Sequence, residues 1–282
     1  MFRNLVLLCS LICSLSLQAQ VSEVGITGGV SYYIGDINPT RHYPKDTKLA
    51  FGLLYRYNFT DRYAIRLQAL SGTLQSYDSH STDSLQLLRN LGFRARLLEL
   101  SGLVEVNFRK YRSRDKDSKK WTPFIFAGLA YFRAAPQAQV DDTWYDLQPL
   151  GTEGQGTSAR PGTDVYNVDN ICIPFGAGFK VNVGRLDFQL EWGLRRTYTD
   201  YIDDVSSTYV DRDLLAFENG PLAAALADPS VLAQLEEYPN EGRARGDMNT
   251  RDWYQYTGLS VTYIISRFSD CEEQYNWMRK RR

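Results

Sequence analysis

Residues 186–195, Leu-Asp-Phe-Gln-Leu-Glu-Trp-Gly-Leu-Arg, alternate apolar and polar side chains without interruption. A period of two predicts a β-strand with one apolar and one polar face. The polar face carries the charges of Asp187, Glu191 and Arg195. Two architectures use such strands. A soluble sandwich turns the apolar face inward, whereas an outer-membrane barrel turns it toward lipid and encloses the polar face.

Seven more segments alternate in the same way, and their apolar faces begin near Val24, Leu49, Tyr63, Leu98, Phe124, Ile171 and Trp253. Most of the eight run to roughly 10 residues, as a tilted membrane strand requires, whereas globular strands average about 5 or 6. Tight turns at 60–61 and Gly184 contrast with the long connections 135–168 and 199–251. We therefore predict an all-β fold, an eight-stranded antiparallel outer-membrane β-barrel with long extracellular loops over residues 20–266.

The amino terminus predicts export. Arg3 precedes a 13-residue apolar run from Leu5 to Leu17, which is too short for a membrane helix but suits the core of a signal peptide, here residues 1–19. Cys9 and Cys13 follow bulky residues, which does not favour lipid attachment. Strand parity then places the tight turns, both termini and a tail of residues 267–282 in the periplasm.

Charged residues are expected on the inner face of the strands. Eight strands enclose a narrow lumen, so these side chains should form a packed polar network and leave no wide pore. The residues concerned are Arg56, Arg66, Glu99, Glu105, Lys180, Asp187, Glu191 and Arg195.

Charge also differs between the two ends of the predicted barrel. The chain is nearly neutral, with 32 Lys and Arg against 33 Asp and Glu, which does not indicate a nucleic-acid partner. The link 109–120 holds seven basic and two acidic residues, whereas 199–251 holds four basic and eleven acidic. Solvated turns would explain this, and so would a docking surface. The candidate partner-binding residues are Arg109, Lys110, Arg112, Arg114, Cys271, Tyr275, Trp277, Arg279, Lys280 and Arg281.

Two cysteines follow the signal peptide, Cys172 inside the barrel and Cys271 in the tail. In an oxidising compartment Cys271 could form an intermolecular disulfide or remain a tolerated free thiol, and both interpretations stay open.

The sequence does not favour catalysis, a cofactor or a small-molecule substrate. A nucleophile needs a base beside it, and the two histidines, His42 and His80, fall in outer loops. No metal site is predicted, because the acidic spacing does not match a regular calcium loop and instead suggests a solvated one. That cluster comprises Asp200, Asp203, Asp204, Asp211 and Asp213.

A helical spacing of apolar residues in 221–237 predicts a lid over the barrel mouth rather than a partner helix. Its expected packing face is Leu222, Ala225, Leu226, Leu232 and Leu235.

Several stretches together resemble the PorG family. They are Ser-Tyr-Tyr-Ile-Gly-Asp-Ile-Asn-Pro at 31–39, Gln-Pro-Leu-Gly-Thr-Glu-Gly-Gln-Gly at 148–156 and Ile-Pro-Phe-Gly-Ala-Gly-Phe-Lys at 173–180. The most specific is Thr-Asp-Tyr-Ile-Asp-Asp-Val-Ser-Ser-Thr-Tyr-Val-Asp at 199–211, which Gly-Pro-Leu-Ala at 220–223 continues. The resemblance covers nearly the whole chain after the signal peptide.

The resemblance implies a structural role in the type IX secretion system of Bacteroidetes. Members of that family are outer-membrane barrels associated with a periplasmic ring of the lipoprotein PorK and its partner PorN. We therefore expect PorK-like and PorN-like partners and outer-membrane lipid around the barrel. The alternative is a self-contained barrel whose outer loops bind host or surface ligands.

Overall fold

The structure is a computed structural model that describes residues 21–39, 44–111, 119–230 and 240–266. Strands dominate these residues, with three short α-helices between them. The strands are β1 (Val21–Ile34), β2 (Lys48–Asn58), β3 (Tyr63–Tyr77), β4 (Gly92–Asn107), β5 (Trp121–Val140), β6 (Thr143–Asp146), β7 (Asp169–Val183), β8 (Leu186–Thr197) and β9 (Trp253–Ser266). The helices are α1 (Ser84–Arg89), α2 (Arg212–Glu218) and α3 (Pro221–Ala227).

Eight of these strands form a closed antiparallel barrel. The sheet order is β4-β3-β2-β1-β9-β8-β7-β5, and β4 also pairs with β5, which joins the two edges. The first and last strands of the barrel meet where β1 pairs with β9, with Ile26 opposite Val261. The predicted eight-stranded barrel is confirmed, and closure leaves no open edge among its strands.

The ninth strand, β6, lies outside the closed barrel. It pairs only with the end of β5, through a two-residue turn at Asp141 and Asp142, both of which have positive φ. The sequence had predicted a loop from residue 135, and that boundary is wrong. The outward residues of this extension are the small Ala135 and the polar Gln137 and Gln139, so the apolar alternation stops although the strand continues.

The connections differ in length between the two ends of the barrel. One end, the turn end, carries connections 59–62 and 184–185 and the described residues 108–111 and 119–120, together with the start of β1 and the end of β9. Gly184 has φ +65° there, which suits a two-residue hairpin turn. The other end, the cap, carries the described parts of connections 35–47, 78–91, 141–168 and 198–252. The predicted alternation of short and long connections is therefore confirmed.

The outer face of the barrel is apolar and exposed. Ile26, Leu53 and Leu129 are 64%, 65% and 68% exposed, respectively, in the middle of long strands. Aromatic side chains flank this belt at the turn end, where Phe59 stacks on Tyr63 and Trp121 stacks on Phe179. At the cap, Phe175 meets Trp253 edge to face. None of the helices in the described part of the chain is long and apolar enough to cross a bilayer.

Inside the barrel, the packing changes from polar to apolar toward the cap. The middle of the lumen holds charged side chains, whereas Tyr33, Leu74, Phe93 and Phe132 form an apolar cluster near the cap. Ile202 of the connection between β8 and β9 also packs into this cluster. The cap therefore closes the barrel mouth with a small hydrophobic core of its own.

Candidate functional site

Ion pairs across the lumen fill the middle of the barrel. Arg56 on β2 lies 3.0 Å from Glu23, 2.9 Å from Glu105 and 3.3 Å from Asp187, nitrogen to oxygen. Asp187 belongs to β8, which does not adjoin β2, so this contact spans the bore. Buried charges need such partners because an unpaired charge in the interior is costly.

The remaining charged residues extend the same network. Arg66 lies 3.1 Å from Glu105 and also pairs with Glu191 on the far side of the lumen. Lys180 pairs with Glu105, and Arg195 lies 3.3 Å from Glu99. The predicted inward network is therefore present, since every one of the eight residues named from the sequence is buried in it.

Cys172 also points into the barrel, as predicted. Its sulfur lies 3.4 Å from the hydroxyl of Tyr254, and the thiol is buried and free. Cys271 lies outside the described residues, so its pairing stays a prediction.

The cap is held together by one buried carboxylate. Glu153, in the connection before β7, accepts hydrogen bonds from the backbone N–H groups of Ser206 (2.9 Å) and Ser207 (3.1 Å). Arg245 donates to the same carboxylate at 3.2 Å and lies 3.3 Å from Asp204. This group links three segments of the cap that are distant in sequence.

A second group in the cap joins it to the barrel rim. The Tyr33 hydroxyl lies 2.6 Å from an oxygen of Asp203 and 2.5 Å from one of Asp252. The two carboxylates also accept backbone N–H groups from Val205 (2.9 Å) and Ile202 (2.8 Å). Burial raises the pKa of both Asp203 and Asp252 well above the usual range, and the pKa of Asp203 is raised further by the charge of Asp252.

A third contact fixes the connection between β3 and β4. Arg89 at the end of α1 donates two hydrogen bonds, of 2.7 and 2.8 Å, to the carboxylate of Asp78. It also donates to the backbone oxygens of Arg245 (2.8 Å) and Asp36 (3.0 Å). One guanidinium therefore holds segments from three of the long connections together.

These contacts assign a physical task to the motif at 199–211, and they correct the expectation of a solvated acidic loop. Asp200, Asp203 and Asp204 are buried and hydrogen-bonded to protein groups. Asp211 caps α2 by accepting from the Leu214 N–H at 2.6 Å, and Asp213 is exposed. No cluster of metal-ligand type occurs among residues 21–39, 44–111, 119–230 and 240–266.

The predicted lid is present in part, with a different packing face. The structure buries Ala223, Ala224 and Ala227 of α3 against Leu215 of α2. Leu226 is buried as expected, but Leu222 is half-buried and Ala225 is exposed, because this short helix turns its alanine face toward α2. Leu232 and Leu235 lie outside the described residues.

The turn end carries the two residues of the predicted docking surface that the structure describes. Arg109 and Lys110 are exposed there, and the guanidinium of Arg109 lies 3.6 Å from the centre of the Trp121 ring. Lys119 and Lys120 are exposed where the same link returns to β5. The other candidates lie outside the described residues: Arg112, Arg114, Cys271, Tyr275, Trp277, Arg279, Lys280 and Arg281.

Sequence patterns did not reveal the part that anchors this link. Tyr111 is buried, and its hydroxyl donates to Asp187 inside the lumen. Arg62, from the adjacent turn, donates to the backbone oxygen of Phe108 at 3.1 Å. The one sequence signal for this anchor was that Tyr111 is a single aromatic residue within a basic run.

Of the two histidines, the structure describes His80. Its Nδ1 atom lies 2.8 Å from an Asp46 oxygen, and its ring packs edge to face on Tyr77. His42 lies outside the described residues. His80 thus has a structural contact within the cap.

Taken together, the closed eight-stranded sheet, polar lumen, apolar belt and aromatic flanks define a β-barrel of the outer-membrane type. The chain belongs to the family described as "Domain of unknown function (DUF6089)", whose model matches residues 2–150. No curated protein matches its sequence.

Several solved structures are similar to this chain at low sequence identity. Neisserial surface protein A (NspA) is 9% identical with a TM-score of 0.41, and the match covers 86% of this chain and 97% of the NspA chain. The outer membrane protein OprG from Pseudomonas aeruginosa is 11% identical with a TM-score of 0.40, covering 87% and 95%. Ail, the attachment invasion locus protein of Yersinia pestis, is 8% identical with a TM-score of 0.35, covering 88% and 98%.

Proposed function

We propose that this protein is an outer-membrane barrel that anchors or positions a periplasmic protein ring, as a structural component of the type IX secretion system. The observation that carries the proposal is the exposed basic link at the turn end, Arg109, Lys110, Lys119 and Lys120, beside a lumen filled by ion pairs. A packed lumen favours a role at the rims over solute transport.

Placement in the membrane is supported by the exposed apolar belt. Burying one large apolar side chain is worth about 1.5–3 kcal/mol, so a belt of such residues around a whole barrel is unfavourable in water. Aromatic residues on both sides of the belt are typical of membrane–water interfaces. Localisation in the outer membrane, with the turn end in the periplasm, follows from the predicted signal peptide and strand parity.

The expected partners are a PorK-like lipoprotein and a PorN-like ring protein, as the family resemblance implies. Exposed lysines and arginines would steer an acidic surface of such a ring toward the turn end. In the tail, Tyr275 and Trp277 would supply apolar anchors and Arg279, Lys280 and Arg281 further positive charge. Cys271 is the candidate for a covalent link.

A matched pair of charge reversals tests this assignment. Lys119→Glu with Lys120→Glu changes the turn end, whereas Arg243→Glu with Arg251→Glu changes two exposed residues of the cap by the same charge. Membranes of the native host would be solubilised gently and ring proteins quantified after capture of the barrel. We expect loss of ring proteins for the first pair alone. Equal recovery from both would reject docking at this link.

The tail is tested separately because its role does not depend on the link. A Cys271→Ser variant and a chain truncated after residue 266 would be captured in the same way, with non-reducing gels. We expect the truncation to weaken recovery of the ring. A higher-mass band that disappears in Cys271→Ser would support the disulfide.

One observation favours the alternative of a surface-binding barrel. The cap exposes large apolar side chains, notably Leu85 (74%) on α1, Phe217 (87%) on α2 and Met248 (58%). Aromatic and methionine side chains are common at protein interfaces. Replacing all three with Ser should abolish binding to cells or surface ligands if this function holds, whereas ring anchoring should be unaffected.

A further inference from the structure

The outer face of the barrel is not uniformly covered by large side chains. A recess of about 750 Å³ crosses β1 to β5, bounded by Phe51 and Leu53 on one side and by Leu98 and Leu100 on the other. Such a volume falls within the range of ligand-binding pockets, about 300–1,000 Å³. The recess is therefore large enough for part of an elongated apolar molecule.

Small residues on β3 create this recess. Ala69 is paired with Leu53 on β2 and Leu100 on β4. Ser71 is paired with Phe51 and Leu98 in the same way. A column of short side chains thus runs along β3 between two columns of long ones, so the depression follows the strand direction.

Arginines lie at the cap side of this recess, on the same outward face. Arg96 is two residues from Leu98 on β4, a distance of about 7 Å along a strand. Arg133 on β5 is paired directly with Leu98, and Arg94 is paired with Gln137. Arg96 and Arg133 therefore lie next to the apolar recess, where the belt gives way to polar side chains, and Arg94 lies two residues further toward the cap.

These arginines are only partly neutralised. Arg133 lies 3.5 Å from Asp169, and both side chains are partly exposed. Arg94 donates to Gln137 at 3.2 Å and stacks on Trp144 with its guanidinium 3.6 Å from the ring centre. Arg96 makes no ion pair with any residue that the structure describes. A second carboxylate lies near Arg94, because Gln137 also donates to Asp146 at 2.8 Å. Arg96 and Arg133 together still face one carboxylate, that of Asp169, which leaves a net positive charge next to the recess.

We propose that this surface binds an anionic, phosphate-bearing membrane lipid, with an acyl chain in the recess and its phosphate at Arg96 and Arg133. Guanidinium groups recognise phosphate through paired charge-assisted hydrogen bonds, and basic sites at a membrane boundary bind anionic headgroups. Both requirements of the lipid, an apolar slot and a cationic end, occur on adjacent strands in the right order. The inference depends on membrane insertion of the barrel but not on ring anchoring.

Native mass spectrometry of the full chain in detergent micelles tests the proposal. Phosphatidylglycerol and phosphatidylcholine with identical acyl chains would be offered in parallel, with inorganic phosphate as a competitor. We expect phosphatidylglycerol adducts to dominate and to survive the competitor. Equal retention of the two lipids, or displacement of phosphatidylglycerol by inorganic phosphate alone, would overturn it.

Two kinds of variant locate the site. The pair Arg96→Gln and Arg133→Gln should weaken phosphatidylglycerol binding by at least about tenfold, because losing even one charge-assisted hydrogen bond has that effect. The matched pair Arg62→Gln and Arg185→Gln, exposed at the turn end, should leave it unchanged. Ala69→Phe fills the recess and should weaken binding with all arginines in place.

Folding of each variant would be checked by its migration in unheated gels. Equal loss of lipid in the Arg62/Arg185 control pair, or no loss in either recess variant, would contradict the site. Ring recovery from the Arg96/Arg133 pair and from Ala69→Phe should stay at the wild-type level, so a failure of the lipid site is distinguishable from a failure of the anchoring function.

Discussion

Arg245 and Glu153 are 92 positions apart in the chain, yet their side chains meet at 3.2 Å in the buried centre of the cap. The pair joins the connection before β7 to the connection before β9. Arg245 also donates to the backbone oxygen of Ala227 at 3.0 Å, which attaches α3 to the same point. The long connections therefore form one packed unit over the barrel mouth.

Removing the cation of this pair should open the cap and leave the barrel closed. Arg245→Gln leaves Glu153 and Asp204 buried without their positive partner, which costs about 3–5 kcal/mol. We expect faster hydrogen exchange throughout 200–210 and unchanged exchange in β1 to β4. Hydrogen-exchange mass spectrometry measures both.

Arg243→Gln is the matched control, because Arg243 is exposed and, among the residues that the structure describes, its guanidinium hydrogen-bonds only the side chain of Asn240. It should leave exchange in the cap at the wild-type level. Comparable acceleration in both variants would show that Arg245 has no special part in holding the cap.

The Tyr33 group makes cap stability depend on pH. A hydroxyl donates one proton, so with Asp203 at 2.6 Å and Asp252 at 2.5 Å the Tyr33 hydroxyl donates to one carboxyl, and the other must be protonated to donate to Tyr33. Because the pKa values of both are raised in the folded cap, the folded state binds more protons than the open state. The contribution of these two carboxyls to cap stability is therefore complete below the ordinary pKa of an aspartate, and it is lost as pH rises through their raised pKa values.

We expect exchange in 200–210 to accelerate with pH beyond the intrinsic chemical rate, by up to about 1.4 kcal/mol per pH unit for one proton. Asp203→Asn should flatten this dependence, since an amide cannot ionise. Asp200 also makes the cap less stable as pH rises. Burial raises the pKa of Asp200 only to about 7, so Asp200 adds little further pH dependence above pH 7. If exchange in 200–210 still accelerated beyond the intrinsic rate above pH 7 in Asp203→Asn, the role of this carboxyl would be disproved.

The lumen could be predicted from the sequence because strand alternation is a local property. In β8 the period of two alone places Asp187, Glu191 and Arg195 on one face, and closure of the sheet turns that face inward. Which charges pair was not predictable. The contact of Arg56 with Asp187 depends on the register and diameter of the whole barrel.

The cap could not be predicted in this way because its contacts are neither periodic nor local. Acidic residues such as Asp203 and Asp204 look solvated in a sequence, and only distant partners such as Tyr33 and Arg245 make their burial possible. The end of β5 was missed for a related reason. Beyond the apolar belt the outward positions meet water, so Gln137 is acceptable in a strand and the alternation signal is lost.

The lumen network should make barrel stability sensitive to its central cation. Arg56→Met removes the partner of Glu23, Glu105 and Asp187 and should cost about 3–5 kcal/mol. Urea unfolding in lipid vesicles, followed by tryptophan fluorescence, measures the loss. Arg62→Met, an exposed arginine six residues away, should change the unfolding free energy by less than about 0.5 kcal/mol. Equal stability of both variants would mean that the lumen charges are compensated without Arg56.

The hydroxyl of Tyr111 should control how firmly the basic link is held at the turn end. Tyr111→Phe keeps the ring but removes its hydrogen bond to Asp187, which retains Arg56 as a partner, so the barrel itself should stay folded. A hydrogen bond to a charged group contributes about 1.5–3 kcal/mol, so opening of the link should become at least about tenfold more frequent. Trypsin cleavage at Lys119 and Lys120 measures this opening directly. Tyr55→Phe, which loses an exposed contact with Ser22, is the control and should be cleaved at the wild-type rate. If Tyr111→Phe were also cleaved at that rate, the link would be held by other contacts, such as the stacking of Arg109 on Trp121.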